Sequence, residues 1–451
     1  MKHVPALAAI LGAIFLSCGA QTALAGDGSG GGRSRSGFIT EVDAVERTAL
    51  FRADRSAEPV RLKIDDALDP RNIPEGRKVL VHTRTDQGVE RIQSVSAMFL
   101  DLGLDTVCAL LAIGFVGGML SGFIGSGGAF VLTPSMMSMG VPAAVAVASN
   151  MCHKFPKALV GAYKRHKYGQ VDLKLGLVLA ASAVAGVQIG IRIQEAVLNR
   201  WGGAGSNLYV SLVFVAVLVV VGCVVTRDAW RLSRGRVAGQ THRIARFLQG
   251  LKIPPMMHFR TAGVSASAWI TIPIGLGTGV LAATIAVGGF IGVPGMIYLL
   301  GVSAMVASAT ELVVAFAMGL WASVQWGLDG MIDVRLALLL LATSLIGVQL
   351  GALGTTYVKD HVIKLVMGVV TLIVAVSRAA KVPVYLADLD SVALGPGTRS
   401  VLNSFSFWTL VAALAVAGVM ISWALITGIR RARQGQKPEH DPLVDAEPSE
   451  D

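Results

Sequence analysis

Charge is scarce in this chain: Asp, Glu, Lys and Arg make up 15% of its 451 residues. An ordinary soluble domain carries about 25%, so the shortage argues against a surface that faces water on all sides. Aromatic residues are few as well, at 6%. The four cysteines, Cys18, Cys108, Cys152 and Cys223, fall in apolar segments and form no Cys-x-x-Cys pair. A disulfide framework and a cysteine zinc site are therefore not expected. The glycine-rich stretch Ile124–Pro134, IGSGGAFVLTP, lacks the Gly-Lys-Ser/Thr ending of a P-loop and the strand–turn–helix setting of a dinucleotide site. Neither His-Glu-x-x-His nor Gly-x-Ser-Gly occurs, which removes the usual signals of intramembrane proteolysis. Only His153 lies deep in an apolar span, whereas membrane haem needs paired ligands. No metal, cofactor or enzymatic activity is expected.

What the chain has is apolar length. It is 53% hydrophobic, holds 52 glycines and has a mean hydropathy of +0.63, the composition of a polytopic membrane protein. A net charge of +10 raises the question of nucleic acid, but the basic residues cluster in loops beside apolar segments. That distribution fits membrane topology, and nucleic acid is not expected as a partner.

Residues 1–25 read as a signal peptide: Met1-Lys2-His3, an apolar run from Val4 to Ala20, then Ala23-Leu24-Ala25. An uncleaved anchor is the alternative. Residues 26–36, GDGSGGGRSRS, read as a flexible linker. Residues 37–96 alternate with period two in GFITEVD, RTALFRA, PVRLKID, KVLVHTR and GVERIQSV. They predict a small all-β domain of about five strands, OB-like or SH3-like, facing the periplasm. Apolar spans follow near 103–122, 123–139, 143–163, 175–195, 207–227, 264–284, 286–301, 303–324, 336–356, 361–380 and 405–428. The two shortest, 123–139 and 286–301, are the glycine-rich ones.

These two segments match each other. At an offset of 160, Gly128, Phe130 and Pro134 fall on Gly288, Phe290 and Pro294. At 161, Gly140-Val141 falls on Gly301-Val302, Val171-Asp172 on Ile332-Asp333, and Gly186-Val187-Gln188 on Gly347-Val348-Gln349. The membrane part is read as two repeats, 103–227 and 264–380. Lys164-Arg165-His166-Lys167 in the first has a counterpart around 325–331 without Lys or Arg, and residues 227–260 hold eight Lys/Arg against one acid. The positive-inside rule then places 164–174, the loop 228–260 and the tail 429–451 in the cytoplasm, and 325–335 outside. That parity requires inverted copies. The fold expected is a mainly α polytopic membrane protein: two inverted five-helix repeats, one C-terminal transmembrane helix (405–428) and the N-terminal β domain.

Paired interrupted spans in inverted repeats point to a transporter's substrate site. Gly127, Gly128, Gly288 and Gly289 free backbone groups that protein or a water-filled cavity must surround, and a helix N-terminus there favours an anion; close helix packing at a small-residue seam is the alternative, and recurrence at the paired position favours the cavity. Asn150, His153, Lys154 and Lys157 share one helix face at i, i+3, i+4 and i+7, and Asn150, Lys154 and Lys157 join the four glycines as candidate substrate-binding residues. Lys157 is near enough to the helix end to snorkel. Lys154 is deeper, and is read as an anion contact or as an ion-pair partner of Glu311. Glu311 aligns with Asn150 and is a proton carrier or a fixed counter-ion. His153 relays protons or is simply hydrogen-bonded. Asp172 and Asp333 sit where acids cap helices, and Gln188 and Gln349 bridge helices or face the cavity.

The duplicated glycine–phenylalanine–proline stretch, the alanine-rich polar segment after Gly-Val and the Gly-x-Val-Asp loop (Gly169–Asp172) resemble the sulfite exporter TauE/SafE family across about residues 105–380. The resemblance implies a transporter or facilitator that moves sulfite, sulfoacetate or a related organosulfonate across the bacterial inner membrane, in the export direction. Its partners are then a small anionic substrate and the lipid bilayer. A homodimer and a periplasmic protein bound to the β domain remain open. The alternative function is a membrane-embedded sensor or scaffold that uses the β domain to bind a partner.

Overall fold

The computed structural model describes residues 33–433, apart from 55–57, 67, 77, 87–88, 125–127, 234–247, 249, 251–252 and 356–359. The signal peptide, Gly127 and much of the tail expected from the sequence lie outside the described residues.

Period-two alternation puts Ile39, Phe51, Leu62, Ile64, Val79, Val81 and Ile92 on one face of five strands, where they form a dry core. The strands are β1 (Arg33–Asp43), β2 (Thr48–Ala53), β3 (Val60–Ile64), β4 (Lys78–Asp86) and β5 (Val89–Ala97). They close in the order β1-β2-β3-β5-β4, with β3 parallel to β5. Of the two alternatives this is the OB-like one. The linker boundary is corrected: Arg33 to Ser36 already pair with Thr83 to Leu80, because backbone hydrogen bonds to β4 outweigh the freedom of a Ser/Arg stretch.

The helices are α1 (Leu104–Ile124), α2 (Ala129–Ser138), α3 (Ala143–Lys167) and α4 (Leu173–Ser233), then α5 (Ala268–Ile285), α6 (Gly289–Tyr298), α7 (Ala304–Leu328), α8 (Val334–Thr355), α9 (Asp360–Asp388) and α10 (Pro396–Arg433). A hairpin, β6 (Met256–Phe259) and β7 (Val264–Ser267), precedes α5. Among the described residues seven helices are long and apolar enough to span a bilayer, and α2 and α6 are short apolar ones. Straight, the 59 residues Leu173–Arg231 of α4 would reach about 88 Å. Gly202, at φ 65° and ψ −161°, breaks it into two arms. Helix α3 is not among the seven; buried lysines lower its hydropathy.

Close glycine contacts hold the bundle together. Gly118 and Gly122 of α1 abut Ser344 and Val348 of α8, while Gly347 and Gly351 of α8 abut Phe115 and Met119. Gly275 and Gly279 of α5 meet Leu179 and Ala183 of α4, and Gly186 and Gly190 of α4 meet Leu276 and Val280. At these positions a Cβ would strike the facing helix, so only glycine permits the approach.

The barrel is fastened to this bundle. Ser34 donates from its backbone N–H to Asn199 Oδ1 (3.0 Å) and from Oγ to the Leu198 carbonyl (2.7 Å) at the α4 bend. Ser36 Oγ donates to the Asp329 carbonyl (3.0 Å) and Lys78 Nζ to that of Gly330 (2.9 Å), between α7 and α8. A cavity of about 290 Å³ lies between barrel and bundle, bordered by Arg35, Asp54, Ala144, Asn199 and Trp326. At α4's start, Lys174 Nζ donates to the His258 carbonyl (3.1 Å), and Asp172 accepts from Ala262 N–H (3.0 Å), joining the hairpin to the bundle.

Candidate functional site

Helix α5 ends at Ala286, whose left-handed φ of 61° turns the chain into α6. Helices α2 and α6 each carry an internal proline, Pro134 and Pro294. Their phenylalanines meet: Phe130 and Phe290 are fully buried, with ring centroids 5.0 Å apart. Gly128 and Gly288 stand at the N-termini of the two short helices. Gly128 is pressed so closely on the Gly117 carbonyl that no side chain fits. Gly289 is the first residue of α6. Gly127 lies outside the described residues.

The polar face of α3 turns toward these short helices. Asn150 donates from Nδ2 to the Ala129 carbonyl (3.2 Å) and to Thr133 Oγ1 (2.8 Å), pinning α2. Its amide oxygen pairs with His153 Nδ1 (3.3 Å), and His153 Nε2 pairs with Ser344 Oγ on α8 (2.8 Å). With both Asn150 amide hydrogens directed at α2, its oxygen is left to accept, so Nδ1 carries the proton. Both nitrogens of His153 are thus occupied.

Lys154 extends from α3 to the break before α6, where Nζ donates to the Ala286 carbonyl at 3.5 Å. It is 5% exposed and lies in the field of Glu311. Glu311 of α7 is 2% exposed, and neither carboxylate oxygen has a hydrogen-bond partner. The carboxylate lies over Gly292 of α6, where a Cβ would collide with Oε2. Lys157 does not snorkel as its position suggests; it is 7% exposed, because its face of α3 turns into the bundle.

Reciprocal contacts frame the centre. Asp333 N–H donates to Ser149 Oγ (2.9 Å), and Asp172 N–H donates to Thr310 Oγ1 (3.1 Å). Both aspartates also cap their helices: Asp172 Oδ1 accepts from Leu175 N–H (3.0 Å) and Asp333 Oδ1 from Arg335 N–H (3.0 Å). Gln188 bridges α4 to α7 by accepting from Trp321 Nε1 (3.0 Å), whereas Gln349 is exposed on α8. The residue pattern leaves Thr133, Ser149, Thr310, Ser344 and Ala286 unmarked. The repeat offset, applied to small hydroxyl residues, would have found Ser149 and Thr310. Nothing in the sequence marks Ala286, which acts through its carbonyl.

A family model described as sulfite exporter TauE/SafE matches residues 110–378. The chain is 21% identical over 261 residues to the probable membrane transporter protein YdhB of Bacillus subtilis (strain 168), covering 56% of this chain and 93% of that protein. It is 22% identical over 275 residues to the probable membrane transporter protein YunE of the same organism, covering 59% and 94%. No solved structure matches the chain. The matched region begins after the barrel and takes in both short helices and the polar face of α3. The chain is a multi-pass integral membrane protein that belongs to the sulfite exporter TauE/SafE family of transporters.

Proposed function

We propose that this protein is a secondary transporter or facilitator that exports a small sulfur-containing oxyanion (sulfite, sulfoacetate or a related organosulfonate) across the bacterial inner membrane. The anion passes through the space between the two broken segments. The observation that carries this reading is Lys154: a buried ammonium from α3 that reaches the break before α6, beside a carboxylate with no hydrogen-bond donor. Two basic groups, Lys154 and Lys157, stand against one acid, Glu311, at the centre. The N-termini of α2 and α6, at Gly128 and Gly288, add partial positive charge, and Gly289 lets the backbone come close. Asn150 holds α2 in place, and His153 steadies Asn150. Glu311 carries the coupling proton.

The repeats are inverted in this reading. Ser149 plus 161 is Thr310 and Asp172 plus 161 is Asp333, so the two hydroxyl–amide contacts exchange under the offset. The glycine contacts of α1 with α8 and of α5 with α4 exchange likewise. Ala143 N–H is bonded to Asn207 near the α4 bend, so α3 begins on the barrel side, whereas α7 ends there at Asp329. Equivalent helices therefore run in opposite senses. A periplasmic barrel and the basic loops near 164–174 and 228–260 set the direction across the membrane.

The test is flux and binding in proteoliposomes. Lys154→Met weakens anion binding, Glu311→Gln leaves binding intact and flattens the pH dependence of transport, and the double mutant expresses normally. Unchanged binding and flux in Lys154→Met would remove the proposal. A sensor reading is favoured by the barrel's grip on both halves; flux unchanged across these variants, with loss of a bound partner, would select it.

A further inference from the structure

Among the described residues Arg378 is the largest fully buried side chain, at 0% exposure in α9. Its Nη2 donates to Ser138 Oγ at the end of α2 (2.5 Å) and to Ser406 Oγ of α10 (3.2 Å). Nε and Nη1 have no hydrogen-bond acceptor, although the Tyr385 hydroxyl lies alongside. Among the described residues no carboxylate pairs with it. A lysine or histidine so placed could shed its charge, but a guanidinium keeps its own. A buried charge without a counter-charge is strongly unfavourable, so the missing negative charge must come from outside the protein.

The surroundings supply a route. Helix α8 starts at the loop gripped by the barrel, so α9 ends and α10 starts on that same side. Arg378 lies ten residues before Asp388, about 15 Å below that end. One turn nearer the surface, half-buried Lys381 donates to Asn403 Oδ1 (2.7 Å), and further out Arg399 pairs with Asp388. The nearby acid is thus already engaged by an outer arginine, and Arg399, Lys381 and Arg378 follow one another inward along α9 and α10. The position is distinct from the Lys154 centre: Ser138 and Ala129 are separated by about 13 Å of α2.

We propose that Arg378, with Ser138, Ser406, Tyr385 and Lys381, forms a second oxyanion site on the barrel-side half of the membrane domain. It takes a tetrahedral phosphate- or sulfate-type group, whose charge the guanidinium balances and whose oxygens accept from the N–H groups that Ser138 and Ser406 leave free. That group belongs to a free anion or to the head of a phospholipid.

The full-length protein distinguishes the two sources. Sulfate binding is measured in a Lys154→Met background, which removes the central lysine, and native mass spectra are recorded with added phosphatidylglycerol. For a free anion, Lys154→Met still binds one sulfate, and adding Arg378→Gln weakens it about tenfold. For a lipid, sulfate fails to bind Lys154→Met, while a phosphatidylglycerol adduct persists in the wild type and falls about tenfold in Arg378→Gln. Arg378→Lys serves if the glutamine variant does not fold; it keeps the charge but not the fork, and either readout should weaken measurably. Sulfate affinity and lipid retention equal to wild type in Arg378→Lys and in any folded Arg378→Gln overturn the site.

Discussion

Helices α3 and α7 occupy matching places in the two halves but carry different chemistry. Asn150, His153, Lys154 and Lys157 on α3 correspond, 161 residues on, to Glu311, Val314, Ala315 and Met318 on α7. All four α7 residues are buried, as are the four on α3. The backbone framework is doubled, with hydroxyl–amide contacts and glycine seams on each side. The charge is not: the cations come from one half and the acid from the other. Helices related by one sequence offset thus carry the buried cations on one side and the buried acid on the other.

Substitutions can separate the two levels. The largest effect is expected at the helix breaks, where the halves differ in tolerance. A methyl at Gly128 meets the Gly117 carbonyl, while one at Gly288 lies 2.8 Å from the Thr278 carbonyl and 3.0 Å from the movable Met318 methyl. Gly128→Ala should cost about 3 kcal/mol and Gly288→Ala about 1, read as thermal unfolding in detergent. Equal losses would mean that the breaks are equivalent after all.

Next comes the charge itself. Lys154→Met should weaken anion binding by about 2 kcal/mol, roughly thirtyfold, with little change for Ala315→Met at the matching place. Comparable losses at both positions would end the argument for one-sided charge.

Smaller effects test the framework. Ser149→Ala and Thr310→Val each leave an aspartate N–H without its acceptor and should cost about 1 kcal/mol apiece, equally in the two halves. A difference of more than about 1 kcal/mol between them would show that the scaffold is also asymmetric.

The smallest effect concerns the barrel's attachment. His82 of β4 pairs through Nδ1 with Ser34 Oγ (2.9 Å) and packs on Gly202, and burial holds its pKa below the ordinary 6.5. The unfolded chain binds the proton more readily, so this contribution is complete above pH 6.5 and declines as pH falls below it. The melting temperature should drop over that interval in the wild type and less in His82→Asn. Parallel curves for the two would exclude the histidine as the cause.

Much of this was legible because a bilayer imposes severe rules. A lysine inside an apolar span, on the same helix face as Asn150 seven positions earlier, is conspicuous, and so is a proline after paired glycines. The offset of 161 aligns Glu311 with Asn150 in the sequence itself. Other features carry no such mark. Ser34, Ser36 and Lys78 read as surface residues of a strand or linker, and their bonds to carbonyls near 198 and 330 depend on where distant loops arrive. Arg378 sits near the end of an apolar run, where an arginine ordinarily reaches water; only the packing of α2 and α10 around it reveals otherwise. The burial of Lys157 is of the same kind: distance to a helix end says nothing about which way the face is turned.

The barrel's fastening has a mechanical consequence. Ser34 holds the α4 bend, which belongs to the first half, while Ser36 and Lys78 hold the loop after α7, which belongs to the second. A body clamped to two parts acts as a brace between them. Any rocking that opens the bundle on this face must stretch the clamp or release one end. The barrel thus links the α4 bend to the loop after α7 through the side chains of Ser34, Ser36 and Lys78.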